Sequence, residues 1–436
     1  MTYAPPTLSD ELGDAGLERN FYHDIALGCT HIESAKVEDL VERYGSPLFV
    51  YSEQQILDTA RRARVAFHRF YPNTQFAWSY KTCYLKTICD LFHNEGWLAE
   101  VVSKMEFQKA ERAGVDTREI IINGPCKSRQ LLTYAMNMRS LVQIDNWDEL
   151  AMIEEIVAKF TSPVPIEIGL RIWTDTKHAP VWDKFGFAFD NGEASRAVMA
   201  IMRHPKLSLH TLHCHLGTYI TEPKAYAVAA KHLLALRDVL YHKNGYLVPC
   251  INLGGGFPSS ARMHNQPDNV QIPPIEAYAR AITDVLNRLP RKERPQLRLE
   301  TGRHLIDDAG YLIASVKAVK NGGYILDAGI NLLYTAPWFK INAMATKAVS
   351  AKQLQAGKLW GPLCMNIDVV REKVTLPPLQ TDDHLVLHPV GAYNLTQSMQ
   401  FINLRPAVVL IRCDGSVDLM RRSEILSDLE GAENER

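Results

Sequence analysis

Along the chain, short apolar runs alternate with longer stretches whose apolar residues fall three and four apart. The runs are TQFAWSY (74–80), WLAEVVS (97–103), REIIIN (118–123), SLVQID (140–145), PIEIGLRIW (165–173), LSLHTLHCHLG (207–217), PCINLGG (249–255) and QLRLE (296–300). Between them lie QILDTARRARVAFHRF, DELAMIEEIVAKF, AYAVAAKHLLALRDVLY and IEAYARAITDVLNRL, each with a helical apolar stripe. Eight strand–helix alternations over about 250 residues predict an α/β fold of the (β/α)8 TIM-barrel type, buried strands inside and amphipathic helices outside. After residue 310 the pattern changes. GYLIASVKAVK, GGYILDAGI, KAVSAKQLQAG, DDHLVLHPV and PAVVLIRCDGSVDLM alternate or run apolar, broken by Gly, Asp and Pro, and predict an antiparallel β-domain. The expected boundaries are 46–309 for the barrel, with the strand-like PLFVY at its start, and 1–45 plus 310–436 for the β-domain.

Composition narrows the function. The chain has 436 residues, 46% of them apolar, and a formal net charge of −1. No basic stripe is present, so a nucleic-acid partner is not expected. The first residues, MTYAPPTLSDELGDAGLE, are acidic and lack the apolar segment of a secretory signal. No uninterrupted apolar stretch reaches the roughly 18 residues of a membrane span. The eight cysteines are scattered with no CxxC pair, which reads as reduced thiols rather than a disulfide frame or zinc knuckle. A cytoplasmic enzyme is the expectation.

In such barrels chemistry sits where strands end at the C-terminal face. Lys81, at the end of FAWSYK, is either a snorkelling strand-end lysine or a partly desolvated amine suited to Schiff-base chemistry. In HCHLGT (213–218), His213 and His215 share one strand face. They could bind zinc, but no third ligand cluster of suitable spacing accompanies them, and no metal is expected. INLGGGFP (251–258) follows a buried strand with three glycines, which let backbone N–H groups approach a phosphate; such loops are common. RLETGR (298–303) offers Glu300 as a base or partner for a protonated ring nitrogen, and Arg303 as an anion fork, or else a plain ion pair. Together, a lysine, a histidine, a glycine cradle and a carboxylate with an arginine are the parts pyridoxal 5'-phosphate needs.

The chain resembles the pyridoxal-phosphate enzymes of the alanine-racemase-like barrel type, specifically the diaminopimelate/ornithine decarboxylase group. Ordered motifs from about residue 45 to 410 carry the likeness: YK (80–81), KFG (184–186), HCHLG, GGGFP, ETGR, DAG (327–329), GPLC (361–364) and GAY (391–393). The resemblance implies Lys81 as the imine-forming lysine, His215 stacked on the cofactor ring and Glu300 paired with its nitrogen. It implies Thr218 (usually Ser in the family), Gly255, Gly256, Gly302, Arg303 and Tyr393 around the phosphate, and Glu100 and Glu106 as acidic positions near the lysine. It also implies Cys364 as proton donor at the substrate Cα, contributed across a head-to-tail homodimer with composite active sites. A racemase of the same barrel type and a non-catalytic, partner-binding homologue are the competing readings. A racemase would need a second base, often a tyrosine, and would usually lack the HxHxG and GPxC pair present here, whereas degenerate homologues tend to lose the lysine or the cysteine, and this chain keeps both.

Departures bear on the substrate. Met365 stands where diaminopimelate and ornithine enzymes place a carboxylate after the cysteine, Thr335 where an arginine would fall, and Phe401-Ile402 where Tyr-Asn is usual. Around Met365, Arg303, Tyr393 and Phe401 the distal pocket is therefore expected to be less ionic. Burying an uncompensated ammonium there would cost a few kcal/mol. The expectation is an amino acid with an acylated, citrylated or otherwise modified distal end, as in relatives serving siderophore or antibiotic assembly. Diaminopimelate itself is the alternative.

Overall fold

A computed structural model describes residues 28–266, 270–347 and 353–433, and the backbone of the antiparallel strands Thr7–Asp10 and Gly13–Gly16. Two compact units divide the chain: residues 60–258 and 272–302 form one, and the flanking segments, including 259–271 and everything from 303, form the second. Among the described residues no helix is long and apolar enough to cross a membrane.

The first unit is a closed parallel barrel. Its strands are Thr74–Ser79, Leu98–Val101, Ile120–Ile122, Leu141–Ile144, Ile166–Trp173, Leu207–His213, Cys250–Asn252 and Gln296–Thr301, each the core of a run read from the sequence. Neighbours pair in parallel around the ring, and the last strand closes on the first with Leu297 opposite Thr74 and Glu300 opposite Ala77. Three helices begin where short loops end in a capping side chain. Ser103, Ser128 and Asn146 accept from the amides of Glu106, Leu131 and Glu149, satisfying first-turn donors that a helix leaves unpaired. Helix Ile275–Leu286 buries Ile275, Tyr278, Ala279 and Ile282, the three-and-four spacing read from sequence.

Strand alternation decides what fills the barrel. Ala77, Leu98, Ile121 and Leu141 form one buried apolar cluster. Two residues further along the same strands, and so on the same face, come Ser79, Glu100, Asn123 and Gln143, all buried. The apolar floor is thus roofed by polar side chains at the C-terminal ends of the strands.

The second unit is built on one sheet in the order 369–376, 355–360, 323–326, 310–320, 48–52, 408–411, 417–421. It is mostly antiparallel, with parallel pairings of Gly323–Leu326 to Gln355–Trp360 and of Val408–Ile411 to Leu48–Ser52. His384–His388 branches from Gly310–Lys320 and carries Asn342–Ala345 on its other edge. The strand at 48–52, read above as the start of the barrel segment, belongs to this sheet instead. All five of its residues are buried, and continuous burial fits a central strand of either unit. Strands Asn342–Ala345 and Val369–Leu376 have no counterpart in the sequence reading. Within KAVSAKQLQAG, residues 348–352 lie outside the described residues, as do 1–6, 11–12 and 17–27 of the leading segment.

One face of this sheet presents Leu48, Val50, Tyr311, Ile313, Val409 and Ile411 to helix Val37–Tyr44, which buries Val37 and Leu40. Ile313 is fully buried at the centre of the sheet. Ile313→Ala should therefore cost about 2–5 kcal/mol, seen as a lower urea midpoint at an unchanged denaturant slope.

Candidate active site

At the C-terminal end of the barrel, two buried carboxylates and one lysine form a connected network. Lys81 sits in a single 3-10 turn just past strand Thr74–Ser79, which aims its side chain over the barrel mouth. Its Nζ lies 2.5 Å from Glu100 Oε2 and 2.6 Å from Ser79 Oγ. The Ser79 hydroxyl also donates to Glu100, which is wholly buried. The Asn123 amide spans both acids, donating to Glu100 at 2.9 Å and to Glu300 at 2.8 Å. Asn252 donates to the other oxygen of Glu300, Oε1, at 2.7 Å, and His213 Nε2 lies 3.3 Å from Oε2, the oxygen that Asn123 serves. Burial alone would raise the pKa of Glu300, but His213, Lys81 and Asn252 outweigh it and hold the carboxyl well below its ordinary value.

His215 stands beside this network. Its Nδ1 accepts from the Gly255 amide at 3.0 Å, a bond that an imidazolium, with both nitrogens protonated, could not receive. Enclosure by protein and the nearby charges of Arg171 and Lys81 push its pKa well down, so the neutral ring with its proton on Nε2 is the stable form. Trp182 meets the ring edge-on at 5.9 Å. Gly254, at φ +62°, leaves room for the imidazole, since a Cβ there would run into it.

The glycine loop is tightly constrained. A Cβ on Gly255 would collide with the Glu300 carbonyl, and one on Gly256, at φ +94°, with the Gly217 carbonyl. The amides of Gly254 and Gly255 are turned to Asn252 Oδ1 and His215 Nδ1. Of the three glycines Gly256 is the one that is only half-buried, and these two acceptors are taken by the other two amides. Thr218, the exposed residue that follows Gly217, and Gly302, which packs against Thr82, complete the set.

The second unit holds the remaining candidates. Arg303 is buried, with Nη1 3.2 Å from Asp307 and its guanidinium 4.4 Å from the Phe339 ring and 5.0 Å from that of Tyr393. Asp307 also accepts from the Ser259 hydroxyl at 2.5 Å and the Ala392 amide at 3.1 Å, fastening the GAY segment to the arginine. Thr335 is buried, with amide and hydroxyl both 3.0 Å from Asn394 Oδ1. Cys364, Met365 and Phe401 lie on exposed loops of this unit.

Sequence reasoning thus named the lysine and both carboxylates but missed Ser79, Asn123 and Asn252, which connect them. Their signal was positional: each is a polar residue at the end of an otherwise apolar run, on the inward side of the alternation. Glu106, near the lysine, accepts from the Val102 amide at 2.8 Å. Burial raises its pKa to about 7, against the opposing Val102 bond and with help from the charge of Glu100. A carboxyl raised on folding stabilises the fold when protonated. Wild-type stability should therefore fall as pH rises from about 4.5 to about 7, by at most ~1.4 kcal/mol per unit. Glu106→Gln should remove that component, as read from urea unfolding at pH 5 and pH 7.5.

Comparison with known proteins gives these residues a context. Residues 55–307 match the family model described as pyridoxal-dependent decarboxylase, pyridoxal binding domain. Diaminopimelate decarboxylase of Bacillus subtilis is 28% identical over 422 residues, covering 92% of this chain and 94% of the relative. The Vibrio cholerae enzyme of the same name is also 28% identical, covering 92% and 96%. Among solved structures, diaminopimelate decarboxylase from M. jannaschii in complex with L-lysine superposes with a TM-score of 0.84 at 26% identity, covering 92% of this chain and 95% of that one. The residues present fit the cofactor of this family. A half-buried lysine, a carboxylate held ionised beneath it and glycines that admit no Cβ answer an aldehyde, a basic ring nitrogen and a phosphate respectively. The chain belongs to the pyridoxal-dependent decarboxylase family and is a pyridoxal-phosphate-dependent amino-acid carboxy-lyase.

Proposed function

From that membership we propose that this chain removes the α-carboxylate of a diamino acid, with diaminopimelate, the substrate named for its relatives, as the first reading. The observation that carries the chemistry is the Lys81–Glu100–Asn123–Glu300 network. Pyridoxal phosphate supplies the electron sink into which the bond to the carboxylate breaks.

The chain's own groups divide the rest of the work. Glu100 and Ser79 orient the Lys81 amine, and Glu100 is placed to take its proton when it acts as a nucleophile. Glu300, kept ionised, holds a proton on the cofactor's ring nitrogen. The neutral His215 imidazole offers a flat, uncharged face for that ring. Gly256, Gly302 and Thr218 serve the phosphate, and the family resemblance gives Arg303 and Tyr393 a part in binding. The Cys364 thiol delivers a proton to Cα.

Cys364 acts from a second copy of the chain. Its loop and the 399–404 segment expose Met365, Ile367, Met399, Phe401, Ile402 and Leu404, an apolar surface that a homodimer with composite sites would cover.

A second reading of the substrate is kept by two residues. Met365 brings no charge to the position after Cys364, and both donors of Thr335 are already engaged by Asn394. An amino acid with a modified, non-cationic distal end suits such a pocket better than a bare ammonium does. The comparisons favour diaminopimelate over this modified substrate, which was the main expectation from sequence.

Two measurements test these readings. Borohydride reduction of the yellow protein should leave the phosphopyridoxyl group on Lys81 in a peptide map. A colourless wild-type protein, or full colour and CO2 release in Lys81→Ala, would overturn the chemistry. CO2 release from diaminopimelate, lysine, ornithine and their distally acylated forms then decides the substrate. Diaminopimelate at the highest kcat/KM supports the first reading, and an acylated form ahead of it by tenfold or more supports the second.

A further inference from the structure

The GPLCMNID segment ends in an aspartate to which none of the roles above is assigned. Asp368 is almost fully buried, and its two carboxylate oxygens hold two separate pieces of backbone. Oδ1 accepts from the Ile330 amide and Oδ2 from the Leu363 amide, both at 2.8 Å. The first belongs to the turn after DAG, the second to the residue immediately before Cys364. The main chain of Asp368 closes the same loop: its carbonyl accepts from Gly361 N and its amide donates to Met365 O, each at 3.0 Å. Within the loop so closed, Met365 N bonds Leu363 O at 2.7 Å, making Cys364 the central residue of a three-residue turn.

The neighbouring glycines explain themselves through this carboxylate. A Cβ on Gly329 or on Gly361 would run into the Asp368 side chain. The G of DAG and the G of GPLC are therefore walls of one small chamber whose occupant is Asp368. A carboxylate suits it because both oxygens are acceptors. Asparagine would offer one acceptor and turn an NH2 toward a backbone N–H.

We propose that Asp368 is the positioning residue of the Cys364 loop: its carboxylate ties the loop to the Gly329–Ile330 turn and so fixes where the thiol stands. The proposal rests on the reading of Cys364 as proton donor for its catalytic consequence, but not for its geometry.

The test compares wild-type holoenzyme with Asp368→Asn and with Gly361→Ala, which intrudes on the same carboxylate from the other side. The iodoacetamide alkylation rate of each cysteine is followed by peptide mass spectrometry. Cys126 and Cys413, the other exposed cysteines among the described residues, serve as references in the same molecule. Release of the loop should raise the Cys364 rate at least about threefold while the reference rates hold. It should also lower kcat about tenfold or more with KM within about twofold, since a misplaced donor fails after substrate has bound. A Cys364 rate within twofold of wild type in whichever variant folds, or equal acceleration at all three cysteines, overturns the proposal. Cys364→Ala separates the two ideas: wild-type kcat in that variant would sink the proton-donor reading while leaving the alkylation result for Asp368 to stand or fall alone.

Discussion

Two carboxylates buried in the barrel mouth govern the arrangement around them. An ionised carboxylate away from water is tolerated only when its oxygens are met by donors and its charge by a cation. Glu100 and Glu300 have those partners in Lys81, Ser79, Asn123, Asn252 and His213, drawn from four other strands or strand ends of the barrel. Because Asn123 serves both acids, displacement of its strand leaves both short of a donor. The polar layer therefore depends on barrel closure, and closure delivers the layer in working order.

His215 shows how backbone chemistry sets a side chain's state. Its Nδ1 is committed to a glycine amide, and that glycine stands where no side chain fits because the Glu300 carbonyl lies against it. The strand carrying the acid thus also shapes the loop that fixes the imidazole tautomer. Arg303 in the second unit follows a related logic: an aspartate already faces its charge, while two aromatic rings flank its plane. An arginine so held is an oriented donor more than a free positive charge.

The barrel was legible in the sequence because each of its strands is a compact apolar run followed by a helix with its own period, so local pattern and global fold agree. The placement of Leu48–Ser52 was not legible, because its neighbours in the sheet, Gly310–Lys320 and Val408–Ile411, are hundreds of residues away. Val369–Leu376 escaped because Arg371, Glu372 and Lys373 break its apolar character at mid-strand, as a sheet-edge strand permits. In the site, residues that carry a charge or belong to a motif stood out. The asparagines did not, since an asparagine after a strand reads as turn chemistry until the barrel closes around it.

The same long-range pairing has a consequence for how the chain is made. Leu48–Ser52 leaves the ribosome early, but the strand that lies parallel to it, Val408–Ile411, follows more than three hundred residues later. At about 5–20 residues per second, that is a wait of roughly 20–70 s. For most of it this strand, buried throughout in the finished fold, has neither edge covered, because its other neighbour, Gly310–Lys320, is made only after the last barrel strand. Until then the nascent chain carries an uncovered strand upstream of the growing barrel, and that exposure falls in two steps, as Gly310–Lys320 and then Val408–Ile411 are made.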